Sequence, residues 1–193
     1  IWIAYYDLDM KGANKATFQK KIDTMFDNAV SMNMTDVICH VRAFSDAFYY
    51  SDIFPHTKYL SGTEGKDPGY DALEYMIYAA KKRNLKFHAW LNPYRIKLSD
   101  IPLDKTTIDV SKDYLDYPLN PASNPDNILL NDSTGAILNP CKEVVQKYII
   151  DVCLELMENY NIDAIHFDDY FYAKMTEANE VLSASITKLL AIS

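Results

Sequence analysis

The segment Ile162-Asp163-Ala164-Ile165-His166-Phe167-Asp168-Asp169-Tyr170-Phe171-Tyr172 limits most tightly what this chain can fold into. It begins as an apolar strand and ends in two adjacent carboxylates followed by three aromatic residues. A strand that buries Ile and Phe and then delivers carboxylates at its C-terminal tip is how a β/α barrel presents an acid to a substrate. Two earlier strands end in comparable polar tips, His40-Val41-Arg42 and His88-Ala89-Trp90-Leu91-Asn92.

The rest of the chain repeats the same unit. Residues 1–6 read as a first strand closing at Asp7, and Asn14 caps a helix to about Met34, with Phe18, Ile22, Met25, Phe26, Ala29 and Val30 at helical spacing. Thr35 to Val41 reads as the second strand, followed by a long loop from Arg42 to Pro68 rich in Ser, Tyr, Gly and Pro. Gly69 or Asp71 opens a second helix, whose basic last turn of Lys81, Lys82 and Arg83 suits the helix dipole. Leu85 to Leu91 is the third strand. The long stretch from Asn92 to Asn139 has no strong helix and one small hairpin, 127–138, around Asp-Ser-Thr-Gly. Pro140 is expected to start a third helix to Tyr160, Ile162 to Asp168 is the fourth strand, and a weaker helix is expected over 177–192.

Four β-α units in sequence imply a parallel sheet. No GxGxxG follows the first strand, which disfavours a nucleotide-binding sheet. The long segments follow strands two and three, on the side where barrel enzymes build their sites. A full eight-fold barrel needs about 250 residues, and this chain has 193. The expected fold class is therefore α/β, a TIM-like (β/α) barrel of which residues 1–193 are a single domain covering about the first four units.

Bulk properties remove several classes of partner. The net charge of −8 disfavours nucleic acid and anionic membrane, which both call for a basic face. No apolar run approaches the roughly 20 residues that span a bilayer. The chain opens directly in a strand, so its natural N-terminus is expected to lie upstream, and the lack of a visible signal peptide says nothing about secretion. Cys39 sits inside an apolar strand. Cys141 and Cys153 fall on one expected helix roughly 18 Å apart, so all three cysteines read as free thiols without metal spacing.

Strand alternation sorts the side chains. His40 and Arg42 are expected on one face of strand two; His88, Trp90 and Asn92 share a face of strand three, and His166 and Asp168 of strand four. These belong in the barrel lumen. Cys39, Val41, Phe87, Ala89, Leu91, Ile165 and Phe167 belong under the helices. A lumen with three histidines, an Asp, an Arg, an Asn and a Trp costs stability unless its groups are paired, and a site accounts for it better than packing does.

Five motifs, in order, resemble the glycosyl-hydrolase-like family 10 domain. They are Val41-Arg42 with Ser45-Asp46-Ala47-Phe48-Tyr49-Tyr50-Ser51; Pro68-Gly69-Tyr70-Asp71-Ala72-Leu73; His88-Ala89-Trp90-Leu91-Asn92-Pro93-Tyr94-Arg95; Leu138-Asn139-Pro140; and His166-Phe167-Asp168-Asp169-Tyr170-Phe171-Tyr172. The resemblance runs to about Tyr172. Ala173 stands where the family usually has Pro, and residues 174–193 carry no matching motif. The resemblance implies a bacterial, cell-envelope or extracellular enzyme with a TIM-like barrel that cuts peptidoglycan glycan strands, as a hydrolase or a lytic transglycosylase.

Glycoside cleavage commonly uses one carboxyl as acid and a second as base or nucleophile. Asp168 is assigned as acid/base. Asp169 points to the opposite face unless the strand end turns it inward, where it would raise its neighbour's pKa. Asp46 is the next catalytic candidate, supported by its place in the first of the resembling motifs, with a surface turn as its plainer reading, and Asp7 is a weaker one. Arg42, Asn92 and Arg95 are donors for hydroxyls, N-acetyl carbonyls or a lactyl carboxylate; Arg42 alternatively pairs with a barrel carboxylate. Trp90, Tyr94, Tyr170 and Tyr172 are candidate sugar platforms, and His88 and His166 line the same face. No cofactor or metal is assigned. Two alternatives stand beside this reading. Three lumen histidines with Asp168 would suit a metal-dependent barrel hydrolase, although no His-x-His or His-Glu-x-x-His occurs. A non-catalytic glycan-binding module is the other.

Overall fold

The computed structural model describes residues 1–98, 121–131 and 135–168. Its main sheet has four parallel strands in the order β1 (Trp2–Ile3), β2 (Asp36–Arg42), β3 (Lys86–Leu91) and β7 (Ala164–Phe167). Helices α1 (Lys15–Ser31), α3 (Ala72–Lys81) and α4 (Glu143–Asn159) connect them, and a short α2 (Lys58–Ser61) lies in the loop after β2. This is part of a TIM-like α/β barrel. Among the described residues no helix is long and apolar enough to cross a membrane.

The alternation read from the sequence sets the layers. Ile3, Val37, Cys39, Val41, Phe87, Ala89 and Leu91 are buried on the helix side. They join one core with Phe18, Ile22, Phe26 and Ala29 of α1, Leu73, Met76, Ile77 and Ala80 of α3, and Val145, Val152 and Leu156 of α4. Each Val, Leu, Ile, Phe or Met among them contributes about 1.5–3 kcal/mol by leaving water. The register aligns His40 with Trp90 and Trp90 with His166, so the other face carries one continuous row across three strands. Asp163 pins that register, its Oδ2 accepting from the Phe87 N–H at 2.8 Å while its own N–H donates to the Phe87 carbonyl.

Helix ends follow local chemistry. Asn14 and Asp71 cap α1 and α3 through Oδ1, accepting from the Thr17 and Glu74 N–H groups. Both helices end alike: Asn33 and Asn84 take left-handed backbone, and the next residue bonds back to Ala29 or Ala80.

Four boundaries differ from expectation. β1 stops at Ile3 because Asp7 Oδ2 takes the Ala4 N–H at 3.0 Å and the chain turns. The third helix starts at Glu143 rather than Pro140, because Asn139 Oδ1 captures the Cys141 N–H and 140–142 forms a turn. The 127–138 hairpin is present as β5 (Ile128–Asn131) and β6 (Gly135–Leu138), but a further strand, β4 (Arg95–Leu98), pairs with β6 to make a three-stranded antiparallel sheet. The fourth strand is shorter than 162–168. The helix expected over 177–192 lies outside the described residues.

The loops after β1 and β2 are laced together. The Met10 N–H donates to the Tyr59 carbonyl at 2.7 Å and the Gly12 N–H to the Leu60 carbonyl at 3.2 Å. Gly12 has φ +80°, and a Cβ there would meet Ser61 O at 3.0 Å. Gly12→Ala therefore combines left-handed strain with a backbone clash. Chemical denaturation is expected to show a loss of about 1–2 kcal/mol.

Candidate active site at the barrel mouth

The row formed by His40, Trp90 and His166 is the floor of the site. His40 stacks on Trp90 with ring centroids 3.3 Å apart, and Trp2 meets Trp90 and His166 edge-on at 4.8 and 4.5 Å. His40 is 2% exposed. Its Nδ1 accepts from the Tyr5 N–H at 3.2 Å, so the neutral ring carries its proton on Nε2. Burial pushes this imidazole down to about 3; the adjacent Asn92 side chain opposes the shift and the Arg95 charge adds to it.

Asn92 stands one step above the floor, just past β3. Its Nδ2 donates to the Ala43 carbonyl at 3.1 Å and its N–H to the Arg42 carbonyl at 2.9 Å. Asp168 follows β7 directly, two residues beyond His166, where strand alternation would direct it to the same face. Arg95, on β4, is nearly buried with its guanidinium 5.6 Å from the centre of the Phe44 ring. Tyr94 is half-buried against the core beside it. The sequence-assigned Trp90, Asn92, His166 and Asp168 thus share one end of the sheet, with Arg95 reaching in from β4.

Three assignments take different places. Arg42 does not share a face with His40. The register shifts between them, so Arg42 pairs with Leu91 on the helix side. Its guanidinium is 0% exposed and lies over the rings of Phe54 and Tyr148 at 5.0 and 6.0 Å. It donates through Nη1 to the Asn92 carbonyl and through Nη2 to Ser45 Oγ at 3.3 Å. Arg42 is a buried strut beneath the mouth rather than a donor within it.

His88 sits lower in the lumen, its Nε2 3.1 Å from Asp36 Oδ1 near the start of β2, away from the strand tips. Asp46 is not a surface turn residue. It is buried, accepts the Phe44 N–H at 3.1 Å, and interacts with the Thr57 hydroxyl. Burial raises its pKa, while Thr57, the Phe44 N–H and Arg42 pull it back. Asp7 is engaged by the turn at Ala4. Asp169, Tyr170 and Tyr172 lie outside the described residues.

Trp2, Tyr5, Phe44 and Tyr59 also border the floor or mouth, and none of them stands out in the sequence. Alternation would place Tyr5 with Ile3 on the helix side. The turn closed by Asp7 ends the strand early, and the Tyr5 ring lies 5.6 Å from His40 instead. The available signal was Asp7 itself, three residues past Ala4 and ready to take its N–H. A separate open groove of about 640 Å³ lies on the helix side, lined by Tyr50, His56, Asp71, Glu74, Glu155 and Tyr160 among others. Two of its carboxylates are engaged: Glu155 accepts from Tyr49 Oη, Ser51 Oγ and the Asp52 N–H, and Asp71 from Tyr160 Oη. No three metal-ligating side chains converge among the described residues. The lumen histidines are divided between Tyr5, Asp36 and Trp2.

With this geometry in place, comparison with known proteins is informative. The family model for glycosyl hydrolase-like 10 matches residues 1–187. The chain belongs to that family. It is 35% identical over 176 residues to glycosyl hydrolase YngK of Bacillus subtilis, a match covering 89% of this chain and 32% of the relative. It is 30% identical over 156 residues to glycosyl hydrolase DigH of Escherichia coli K12, covering 81% of this chain and 35% of that one. The chain thus spans about a third of the length of these curated relatives. Among solved structures, the GH36 α-galactosidase AgaA of Geobacillus stearothermophilus aligns with a TM-score of 0.52 at 14% identity, over 92% of this chain and 22% of that one. At that identity the likeness bears on the fold alone.

The neutral His40 gives a pH signature. The unfolded chain binds a proton there near 6.5, whereas the folded chain does so only near 3. Between those values the unfolded state holds more protons, so this contribution to stability is lost as pH falls from 6.5 toward 3. His40→Gln, which cannot titrate, is expected to show a shallower acid limb in urea melts recorded from pH 7 to 3.5. Parallel curves for both proteins would contradict a neutral, buried His40. Arg42→Ala leaves the Asn92 carbonyl without this donor and empties the space between Phe54 and Tyr148. It is expected to cost about 2–4 kcal/mol in the same measurement.

Proposed function

We propose that this protein cleaves glycosidic bonds in a bacterial cell-wall polysaccharide, peptidoglycan glycan strands being the preferred substrate, at the cell envelope or outside the cell. Membership of a glycosyl hydrolase-like family supports glycan cleavage in general. The observation that carries the specific reading is the position of Asp168. It is a carboxyl group at the C-terminal tip of β7, above a floor of Trp2, Trp90, His40 and His166.

In this mechanism a pyranose ring lies over the floor and Asp168 delivers a proton to the glycosidic oxygen as the bond to the anomeric carbon breaks. The neutral His40 leaves no extra positive charge beneath the developing oxocarbenium ion, which a protonated imidazole would oppose. Asn92, buried and held by Ala43 and Arg42, fixes the loop beside this level rather than meeting the sugar. A hydrolase then requires a second carboxylate, Asp169 or one from the remainder of the barrel. A lytic transglycosylase requires only the substrate's own hydroxyl as nucleophile.

The test is mass spectrometry of products from purified glycan strands, with and without peptide stems, using the full-length protein and its Asp168→Asn variant. Reducing-end or anhydro-sugar products are expected from the first. Their rate should fall at least about 100-fold in the second, with an unchanged circular dichroism spectrum and melting temperature. Full activity in Asp168→Asn would remove this residue from the chemistry. No products from either protein, with glycan binding retained, would identify a binding module instead.

A further inference from the structure

We infer that Tyr5, Phe44 and Tyr59 form a second saccharide subsite, a stacking wall beside the Asp168 mouth that holds a pyranose ring of the chain next to the one being cut. The inference rests on the glycan reading above and adds to it a binding surface built from the loops after β1 and β2.

The three rings make one continuous cluster. Tyr5 lies edge-on to Phe44 at 5.1 Å and tilted against Tyr59 at 4.9 Å, while Phe44 and Tyr59 are stacked at 6.5 Å. All three are only half-buried, so part of the wall faces solvent. Tyr6, 65% exposed, continues it outward with its ring 5.2 Å from Tyr5. The wall joins the floor through the Tyr5–His40 contact, and His40 stacks directly on Trp90. Floor and wall are therefore linked by ring contacts through the buried His40.

The wall is held in place by its neighbours, which separates it from an incidental surface cluster. Phe48 stacks on Tyr59 at 6.4 Å, the Lys58 ammonium lies 5.4 Å from the Tyr59 ring centre, and the Arg95 guanidinium lies 5.6 Å from that of Phe44. Asp46 accepts the Phe44 N–H, and Thr57 Oγ1 accepts the Tyr59 N–H. The Tyr59 carbonyl accepts the Met10 N–H from the neighbouring loop. Preformed aromatic faces lose little freedom when a ligand stacks on them. The ligand chemistry follows: a ring with an apolar C–H face for the aromatics and peripheral hydroxyls or amides for the Tyr59 and Tyr5 phenols. Burial, with Tyr5 and nearby carboxylates, pushes the Tyr59 hydroxyl up to about 12, so it remains a donor.

The experiment is isothermal titration of the full-length protein in the Asp168→Asn background with a soluble hexamer of β-1,4-linked N-acetylglucosamine. Tyr5→Leu and Tyr59→Leu keep apolar bulk but remove the ring, and each is expected to weaken binding about ten-fold. Tyr59→Phe keeps the ring and is expected to stay within about two-fold of the parent. Tyr78→Ala, on the exposed outer side of α3, should leave binding unchanged. Hexamer binding equal to the parent's in both Leu variants, with native circular dichroism, would overturn the subsite while leaving the glycan reading intact. If a Leu variant does not fold, protection of the Tyr5 and Tyr59 ring resonances on hexamer addition to the parent decides the matter: unshifted rings overturn the subsite. An Asp168→Asn parent that does not bind the hexamer, together with a protein retaining Asp168 that does not cut glycan strands, would overturn the glycan reading, and the subsite with it.

Discussion

Arg42 brings a full positive charge into the helix-side core at the point where β2 ends, and much of the mouth hangs from it. An unexposed guanidinium is tolerable only if its donors and its faces are occupied. Here the Asn92 carbonyl and Ser45 Oγ take hydrogen bonds, and Phe54 and Tyr148 lie against the faces. Those partners come from the tip of β3, from two parts of the loop after β2, and from α4. One side chain thus ties together four segments that must meet for the site to exist. The register shift before Arg42 makes this possible, because regular alternation would have turned the residue into the lumen.

With Arg42 removed to the other face, the lumen at the mouth is mostly aromatic. His40 behaves there as one more flat ring. Its Nδ1 is occupied by the Tyr5 N–H, and burial keeps it uncharged. The carboxyl of Asp168 is placed one step higher, while Asn92 is buried in the support beside it. An aromatic floor under a carboxyl group suits a ligand with apolar faces and a polar edge, which is the chemistry of a sugar. The helix-side groove is a poorer candidate, since its Glu155 and Asp71 carboxylates are already bonded to Tyr49, Ser51, the Asp52 N–H and Tyr160.

Most of the architecture was legible from periodicity. The 3.6 spacing in α1 and the alternation in β2 and β3 depend only on which residues leave water, and Asn14 and Asp71 announced their caps, whereas Phe167 of β7, expected under the helices, is 40% exposed. The lumen row of His40, Trp90 and His166 followed from the same alternation. The bulge was not legible, because one extra residue in a strand leaves no mark on composition. Arg42 therefore read as a mouth donor. Asp46 read as a catalytic candidate with a surface turn as its alternative, because nothing in the sequence reports that Ala47 would pair with His56 in the loop that buries it. The wall was hidden among fifteen tyrosines. Tyr5 and Tyr59 are brought together by backbone bonds between two loops, and contacts of that kind carry no local pattern. β4 was missed for a simpler reason: four residues are too few to stand out in a long irregular segment.

The central claim is that a saccharide binds at the C-terminal mouth, over the Trp90 floor. The most direct measurement is a crystal structure of the full-length Asp168→Asn protein soaked with a glycan oligomer. The account predicts sugar density above Trp90 and His40, within hydrogen-bonding distance of residue 168. Density confined to the groove between Tyr50, Asp71 and Glu155, with an empty mouth, would contradict it.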